Sequence, residues 1–245
     1  MTPRWGRPGR GGGQGGQSAT EFLIVFPLLI MLVLGVIQWG LLYQARAVLN
    51  HASLLAARAG AVHHGDKGEM KKALAAGLTP LFASEASMAG FVAARTKAFT
   101  EISVSNLASI DVLNPTAQAF TDFGQARLDG LGGGDREIPN DTLNFRNPAP
   151  GASSGVSVQD ANILHVRVSY CYRLIVPVVG RMIHAAVHAL PLGHALQAHG
   201  MGDPFGIGGG PLVDSCMRPM VEGPRIRIQS EAVVRMQSPF YRSNL

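Results

Sequence analysis

The longest apolar stretch of the chain lies near its N-terminus. From Phe22 to Ala45 no residue carries a charge. As an α-helix this stretch extends about 36 Å, enough to cross a hydrocarbon core of about 30 Å. Apolar residues make up 47% of the chain, but outside this stretch they are distributed as in a soluble or loop-rich protein. The sequence therefore predicts one membrane-spanning helix with a large domain beyond it.

The residues before the apolar stretch, 1–16, are rich in glycine and arginine and contain no apolar run. Such a segment cannot contribute to a core, so it is predicted to be a leader peptide. Basic residues that precede a span tend to remain in the cytoplasm, which places the domain beyond the span in the periplasm. Arg46 and Arg58, beyond the span, weaken this bias slightly.

An ordinary secretory signal peptide is the alternative, since it also begins with basic residues. Ala45-Arg46-Ala47 resembles a cleavage site with small residues on both sides. However, the apolar part of a signal peptide is about 7 to 15 residues long, and this stretch is much longer. Its length favours a helix that is retained in the membrane.

The start of the apolar stretch carries a more specific pattern. Gly16 and Gln17 are followed by small residues, then by Glu21 and Phe22, and then by an apolar run with an early proline, Pro27. This order resembles the start of TadE-like proteins, minor pseudopilins of the tight adherence system, which builds a type IVb pilus. The resemblance is strong up to about position 60 and weak beyond it.

The resemblance implies cleavage by a prepilin peptidase between Gly16 and Gln17 and a role for Glu21 in subunit assembly. The aromatic residue after the glutamate is Phe22, where major pilins of this branch carry tyrosine, which favours a minor subunit. The implied partners are the peptidase, other pilin or pseudopilin subunits, the pilus assembly platform and membrane lipid. The implied location is the inner membrane. A simpler role for Glu21 is interaction with the dipole of the helix N-terminus.

The helix itself is predicted to cover residues 17–64. Pro27 removes one amide donor and so either kinks the helix or is tolerated, as prolines in spanning helices often are. Beyond the membrane, apolar residues recur at alternating spacings of four and three, forming a seam of Leu41, Ala45, Val48, Ala52, Leu55, Ala59 and Val62. The seam packs either inside the subunit's own head or in a bundle of pilin helices.

Residues 65–245 are predicted to form a periplasmic α+β domain with short helices and a small antiparallel sheet. Helices are expected to start at Asp66 and to run from near Ser84 to Phe99. A flexible loop is expected over about 121–159, which is rich in Gly, Pro, Asn, Asp and Ser. Alternating apolar residues predict strands around Ile102 and Val104, Ile110 and Val112, Leu164 to Tyr170, and Ile226 to Met236.

The two cysteines of the chain, Cys171 and Cys216, both lie beyond the span. In a periplasmic domain an even pair indicates one disulfide, with two buried free thiols as the alternative. Four histidines, at positions 184, 188, 194 and 199, are candidate metal ligands. No glutamate accompanies the first pair as a HExxH site requires, which favours surface or packed histidines.

No enzymatic activity, cofactor or nucleic-acid partner is predicted. Lys and Arg number 21 against 16 acidic residues, and three of the basic residues lie in the leader, so no basic patch remains for a nucleic acid. The second hypothesis is a signal-anchored periplasmic enzyme or binding protein whose histidines hold a metal.

Overall fold

The structure, a computed structural model, describes residues 15–130, 134–189, 216 and 223–245. The helices in this part of the chain are α1 Gly15–Val62, α2 Lys67–Leu78, α3 Met88–Phe99, α4 Ala117–Phe123, α5 Val158–Ala161 and α6 Val179–Ala189. The strands are β1 Ala108–Asn114, β2 Gln125–Ala126, β3 Arg136–Ile138, β4 Ile163–Arg173, β5 Arg225–Arg235 and β6 Phe240–Tyr241.

The N-terminal half of helix α1 is an exposed apolar segment, and its C-terminal half belongs to an α+β head. The main sheet has the order β1-β4-β5, with β4 antiparallel to both neighbours, and a second sheet has the order β2-β3-β6. The C-terminal half of α1 packs against β4 and β5 and against α2. The predicted fold class is confirmed: a long apolar helix is followed by a domain of small antiparallel sheets and short helices.

The central strand pair, β4 and β5, is fully paired from Ile163 opposite Arg235 to Arg173 opposite Arg225. Their alternating apolar side chains face α1 and are buried, as the pattern predicted; they include Leu164, Val166, Val168, Ile226 and Ile228. Because side chains of a strand alternate between its two faces, one face of this pair forms the core and the other carries charged residues.

The buried face of α1 differs from the predicted seam. Ala45 and Ala52 of the seam are buried, but the most buried leucines, Leu42 and Leu49, lie one position after the predicted Leu41 and Val48. A strict 3.5-residue pattern drifts around a straight helix, and α1 is covered on two sides, by α2 and by the sheet. The seam residues Leu41, Val48, Leu55 and Ala59 are therefore half-buried at its margin, and Val62 is exposed.

The predicted start of α2 is confirmed in detail. The Asp66 side chain accepts hydrogen bonds from the backbone N–H groups of Gly68 and Glu69, as an N-cap residue does. Helix α3 begins at Met88, later than the predicted Ser84, because Ser87 supplies the cap and accepts from the N–H of Gly90.

The predicted strand around Ile102 and Val104 is wrong. Residues Thr100–Val104 form a π-helical turn that continues α3. Ala94, Ala98 and Ile102 are all buried and are spaced by four residues, so the helical period outweighs the two-residue alternation of Ile102 with Val104. Val104 is exposed. The neighbouring strand prediction, at Ile110 and Val112, is confirmed by β1.

The segment predicted as a loop, about 121–159, contains short regular elements. It holds the end of α4, strands β2 and β3, a 3-10 turn at Leu143–Phe145 and the start of α5. Asp122 holds residues 153 and 154 of this segment in place, because its carboxylate accepts hydrogen bonds from the N–H of Ser153 at 3.1 Å and from that of Ser154 at 2.7 Å. Hydrogen bonding, foremost from Ser154, lowers the pKa of Asp122. Sequence composition missed these elements because each is only a few residues long.

Candidate functional site

The predicted processing site lies at the beginning of α1. Gly16 and Gln17 are in its first turn, and Glu21 and Phe22 follow one turn later with exposed side chains. The ring of Phe22 stacks on that of Phe26, with the centroids 5.0 Å apart. The glutamate therefore stands at the edge of an exposed apolar surface that begins with two paired aromatic rings.

The N-terminal half of α1 presents apolar side chains on all sides. From Phe22 to Ile37 every side chain is exposed or half-buried, although nearly all are apolar. Within the described part of the chain, one helix, over Ala19–Val62, is long and apolar enough to cross a membrane. A surface of this size is stable only in an apolar surrounding, so α1 is compatible with a single-pass membrane anchor.

Pro27 lies inside the exposed half of α1, and the helix continues through it. Because proline has no amide hydrogen, the carbonyl of Leu23 lacks its usual helical donor. The helix is not broken at Pro27, and the kink stays a prediction. In a spanning helix such a site is tolerated where neighbouring groups or helices satisfy the carbonyl.

Gln38 marks the change from the exposed to the buried half of α1. Its side chain is 0% exposed, and its Oε1 accepts the backbone N–H of Val176 at 2.9 Å. From Leu42 onward the helix contributes to the same hydrophobic core as the sheet. One helix thereby serves as the apolar segment and as a central element of the head.

The predicted disulfide is present. Cys171 of β4 and Cys216 are bridged, with their Cα atoms 5.5 Å apart, and both are buried. The bridge ties the residues before β5 to the central strand of the main sheet. It encloses a long stretch of chain, which is the arrangement in which cross-linking restricts the unfolded state most.

A buried polar network beside the disulfide was not anticipated from the sequence. The guanidinium of Arg225 forms a salt bridge with Glu101 at 3.3 Å and donates to the carbonyl of Cys171 at 2.9 Å. The hydroxyl of Tyr170 donates to the same Glu101 carboxylate at 2.7 Å. Burial and the adjacent Glu101 raise the pKa of Tyr170 well above its usual range. The network joins the π-helical turn to the sheet.

A second unanticipated cluster lies where α1 ends. His64 stacks on Tyr241 with ring centroids 4.2 Å apart, and its Nδ1 is 2.9 Å from the carbonyl oxygen of Pro239. The guanidinium of Arg127 lies 3.8 Å from the centre of the Tyr241 ring on its other side, as a cation–π contact. This cluster holds the C-terminal residues against the turn between α1 and α2.

The histidines considered for a metal site are only partly described. His184 lies on α6 with a half-buried side chain, and position 188 is on the same helix. His194 and His199 lie outside the described residues. Among the residues that the structure describes, no group of three or more His, Cys, Asp or Glu side chains is arranged to hold a metal ion.

The comparison with known families concerns the N-terminal part of the chain. A family model described as TadE-like protein matches residues 16–58. The match begins at the predicted processing site, includes Glu21 and Pro27, and ends in the buried half of α1. No curated protein and no solved structure matches the chain. Over residues 16–58 the chain is similar to the TadE-like proteins, which confirms the resemblance predicted from its sequence.

Proposed function

We propose that the protein is a minor pseudopilin that a prepilin peptidase cleaves between Gly16 and Gln17 and that helps to assemble a tight adherence pilus or a related secretion apparatus. Its partners are the peptidase, other pilin or pseudopilin subunits and the assembly platform. It is anchored in the inner membrane by the first half of α1, with the head in the periplasm. No catalytic step is assigned to the head.

The observation that carries this proposal is the extent of the TadE-like match. It covers the predicted processing site, Glu21, the exposed half of α1 and most of its buried half. The exposed apolar half of α1 supports membrane insertion, and the disulfide supports an oxidising compartment for the head, since structural disulfides are rare in the cytosol.

The chemistry of assembly follows from charge at the membrane surface. An ionised carboxylate near hydrocarbon is costly unless a cation lies beside it. Cleavage after Gly16 creates a free α-amino group at Gln17, and this group on a neighbouring subunit supplies the positive charge for Glu21. Processing is thereby coupled to assembly, because an uncleaved subunit has no such amino group.

N-terminal sequencing and intact mass of the protein from its native membrane test this proposal. Cells with the peptidase are expected to yield a mature chain that begins at Gln17, and cells without it the uncleaved chain. Gly16→Val is expected to block cleavage, and Gly15→Ala, one residue away, is the matched control. A mature chain that begins beyond Ala45 would instead establish conventional signal-peptide removal and reject the proposal.

A further inference from the structure

Helix α6 carries an exposed apolar face. Met182 and Ala185 are spaced by three residues, so they lie on one side of the helix, and Val178 immediately precedes the helix. All three are exposed. Val178 is 50% and Met182 59% exposed. A neighbouring side of the helix holds Val179, which is buried, and Ile183, which packs on the core. We refer to Val178, Met182 and Ala185 as the α6 apolar face.

The position of this face along α1 is fixed by a hydrogen bond. Val176, three residues before α6, donates its N–H to Gln38, and α6 also contacts α1. Gln38 lies about 24 Å along the helix from Phe22, and a hydrocarbon core is about 30 Å thick. If the core begins at Phe22, the contact with Val176 lies about 6 Å inside its far edge.

Backbone hydrogen bonds at the entry to α6 suit a region with little water. The N–H of Leu174 donates to Pro224, that of Val176 to Gln38, and that of Gly180 to the carbonyl of Val176, each at 2.9 Å. Pro177 has no N–H to satisfy. Since unsatisfied amides are costly near hydrocarbon, these internal partners fit a segment placed at the membrane surface.

Another exposed apolar side chain of the head is Met88 of α3, which is 79% exposed. Helix α3 packs on α2, whereas α6 packs on α1 itself and follows the residue that binds Gln38. Of the two helices, α6 is the one joined to α1 at the point where the exposed apolar half of α1 ends.

We infer that the α6 apolar face lies in the interfacial region of the same bilayer that α1 spans, so that the head is held against the lipid surface by a second element. This inference rests on the proposed membrane span. Exposed Arg181 lies beside the face on the same helix and places its charged group among lipid headgroups, while the apolar side chains enter the acyl boundary. A helix with an exposed apolar side next to a basic residue can lie in this way in the plane of the interface.

Site-directed spin labelling of the full chain in vesicles of phosphatidylcholine and phosphatidylglycerol tests the inference. Three variants that each add one free cysteine, Met182→Cys, Met88→Cys and Leu32→Cys, are labelled with the native disulfide intact. Met88 is a matched control, being an exposed methionine on the other helix, and Leu32 reports on the span itself. Power saturation with oxygen and with a water-soluble nickel chelate gives the depth of each label.

The label at position 182 is expected to show a severalfold higher ratio of oxygen to nickel accessibility than the label at 88, and a lower ratio than the label at 32. Equal ratios at 182 and 88, with a lipid-exposed label at 32, would overturn the inference and leave the span intact. An aqueous label at 32 would overturn both. A label at 182 shielded from both reagents would reject lipid as the occupant and indicate a protein surface.

Discussion

Glycine residues set the distance between α1 and its neighbours in the head. A Cβ atom added to Gly77 of α2 would lie 2.6 Å from both the Cα and the Cβ of Ala52 in α1. Gly60 is covered by the ends of two side chains, those of Met70 and Leu164. The small residues of α1 thus allow close helix–helix and helix–sheet approach, which larger side chains would prevent.

Helix propensity alone would make alanine more stabilising than glycine at position 77, but the contact with Ala52 predicts the reverse. Gly77→Ala is expected to lower the free energy of unfolding by about 1 to 3 kcal/mol, because the added methyl group overpacks the crossing with Ala52. Gly40→Ala is the control, since nothing lies within 4 Å of a Cβ at that position, and alanine there is expected to be neutral or stabilising by up to about 1 kcal/mol. Denaturant unfolding in detergent measures both, and a stabilising Gly77→Ala would show that the crossing is looser.

The charge of Glu21 is predicted to be needed for assembly but not for insertion. Glu21→Ala and the isosteric Glu21→Gln are both expected to reach the membrane and to be absent from purified pili. If the glutamine variant is also absent from pili, the charge of Glu21 and not the size of its side chain is what assembly requires. Membrane fractionation and immunoblotting of sheared pili measure the two steps, and normal incorporation of either variant would remove the assembly role.

Tyr170 predicts how the stability of the head depends on alkaline pH. Its pKa is raised in the folded protein by burial and by Glu101, whereas in the unfolded chain it titrates near pH 10. Above that pH the unfolded state loses a proton that the folded state retains, so stability is full below about pH 10 and falls as pH rises.

Denaturant unfolding of the wild type and of Tyr170→Phe between pH 8 and pH 11 measures this effect. The variant is expected to be less stable at pH 8, where it lacks the hydrogen bond to Glu101, and to lose less stability above about pH 10. Parallel curves for the two proteins would show that Tyr170 does not contribute to the pH dependence.

At the scale of elements, the sequence predicts the features that depend on neighbouring residues better than the contacts between residues far apart in the chain. The strands β4 and β5 and the cap of α2 were readable because alternation and an Asp-x-x-Glu start are local features. The salt bridge between Glu101 and Arg225 could not be predicted, because the two residues are far apart in sequence and are brought together only by the fold. The buried face of α1 differs from the predicted seam for a similar reason, because both α2 and the main sheet cover the helix and the sequence does not show this.

The disulfide is predicted to contribute strongly to the stability of the main sheet. With a sequence separation of 45 residues, its loss is expected to lower the free energy of unfolding by about 4 kcal/mol on the chain-entropy account. Cys171→Ala with Cys216→Ser removes the bridge, and wild-type protein under reducing conditions is the control that keeps both side chains. Denaturant unfolding is the measurement, and equal stability of the three forms would contradict the expected contribution.

At the scale of the whole molecule, the distribution of charge gives a prediction about orientation. Arg4, Arg7 and Arg10 precede the span, and the disulfide lies beyond it. Replacing the three arginines by glutamate is expected to retain part of the heads in the cytoplasm. Those heads are expected to keep free thiols, because the cytoplasm is reducing.

Alkylation of Cys171 and Cys216 in intact cells, read as a gel shift, measures the fraction of retained heads. Arg46→Gln with Arg58→Gln is the control, because it removes basic residues from the far side of the span and is expected to keep full oxidation. Complete oxidation in both variants would show that the basic leader does not determine the orientation.

Because α1 enters the head without an intervening loop, its exposed apolar half and the head are mechanically coupled. A force that pulls on the apolar half acts along the axis of a helix enclosed by α2, β4 and β5. The head therefore resists it in shear, with the packing from Leu42 to Ala61 loaded together. A rotation or axial shift of the apolar half is therefore expected to be transmitted to the head through this one continuous helix.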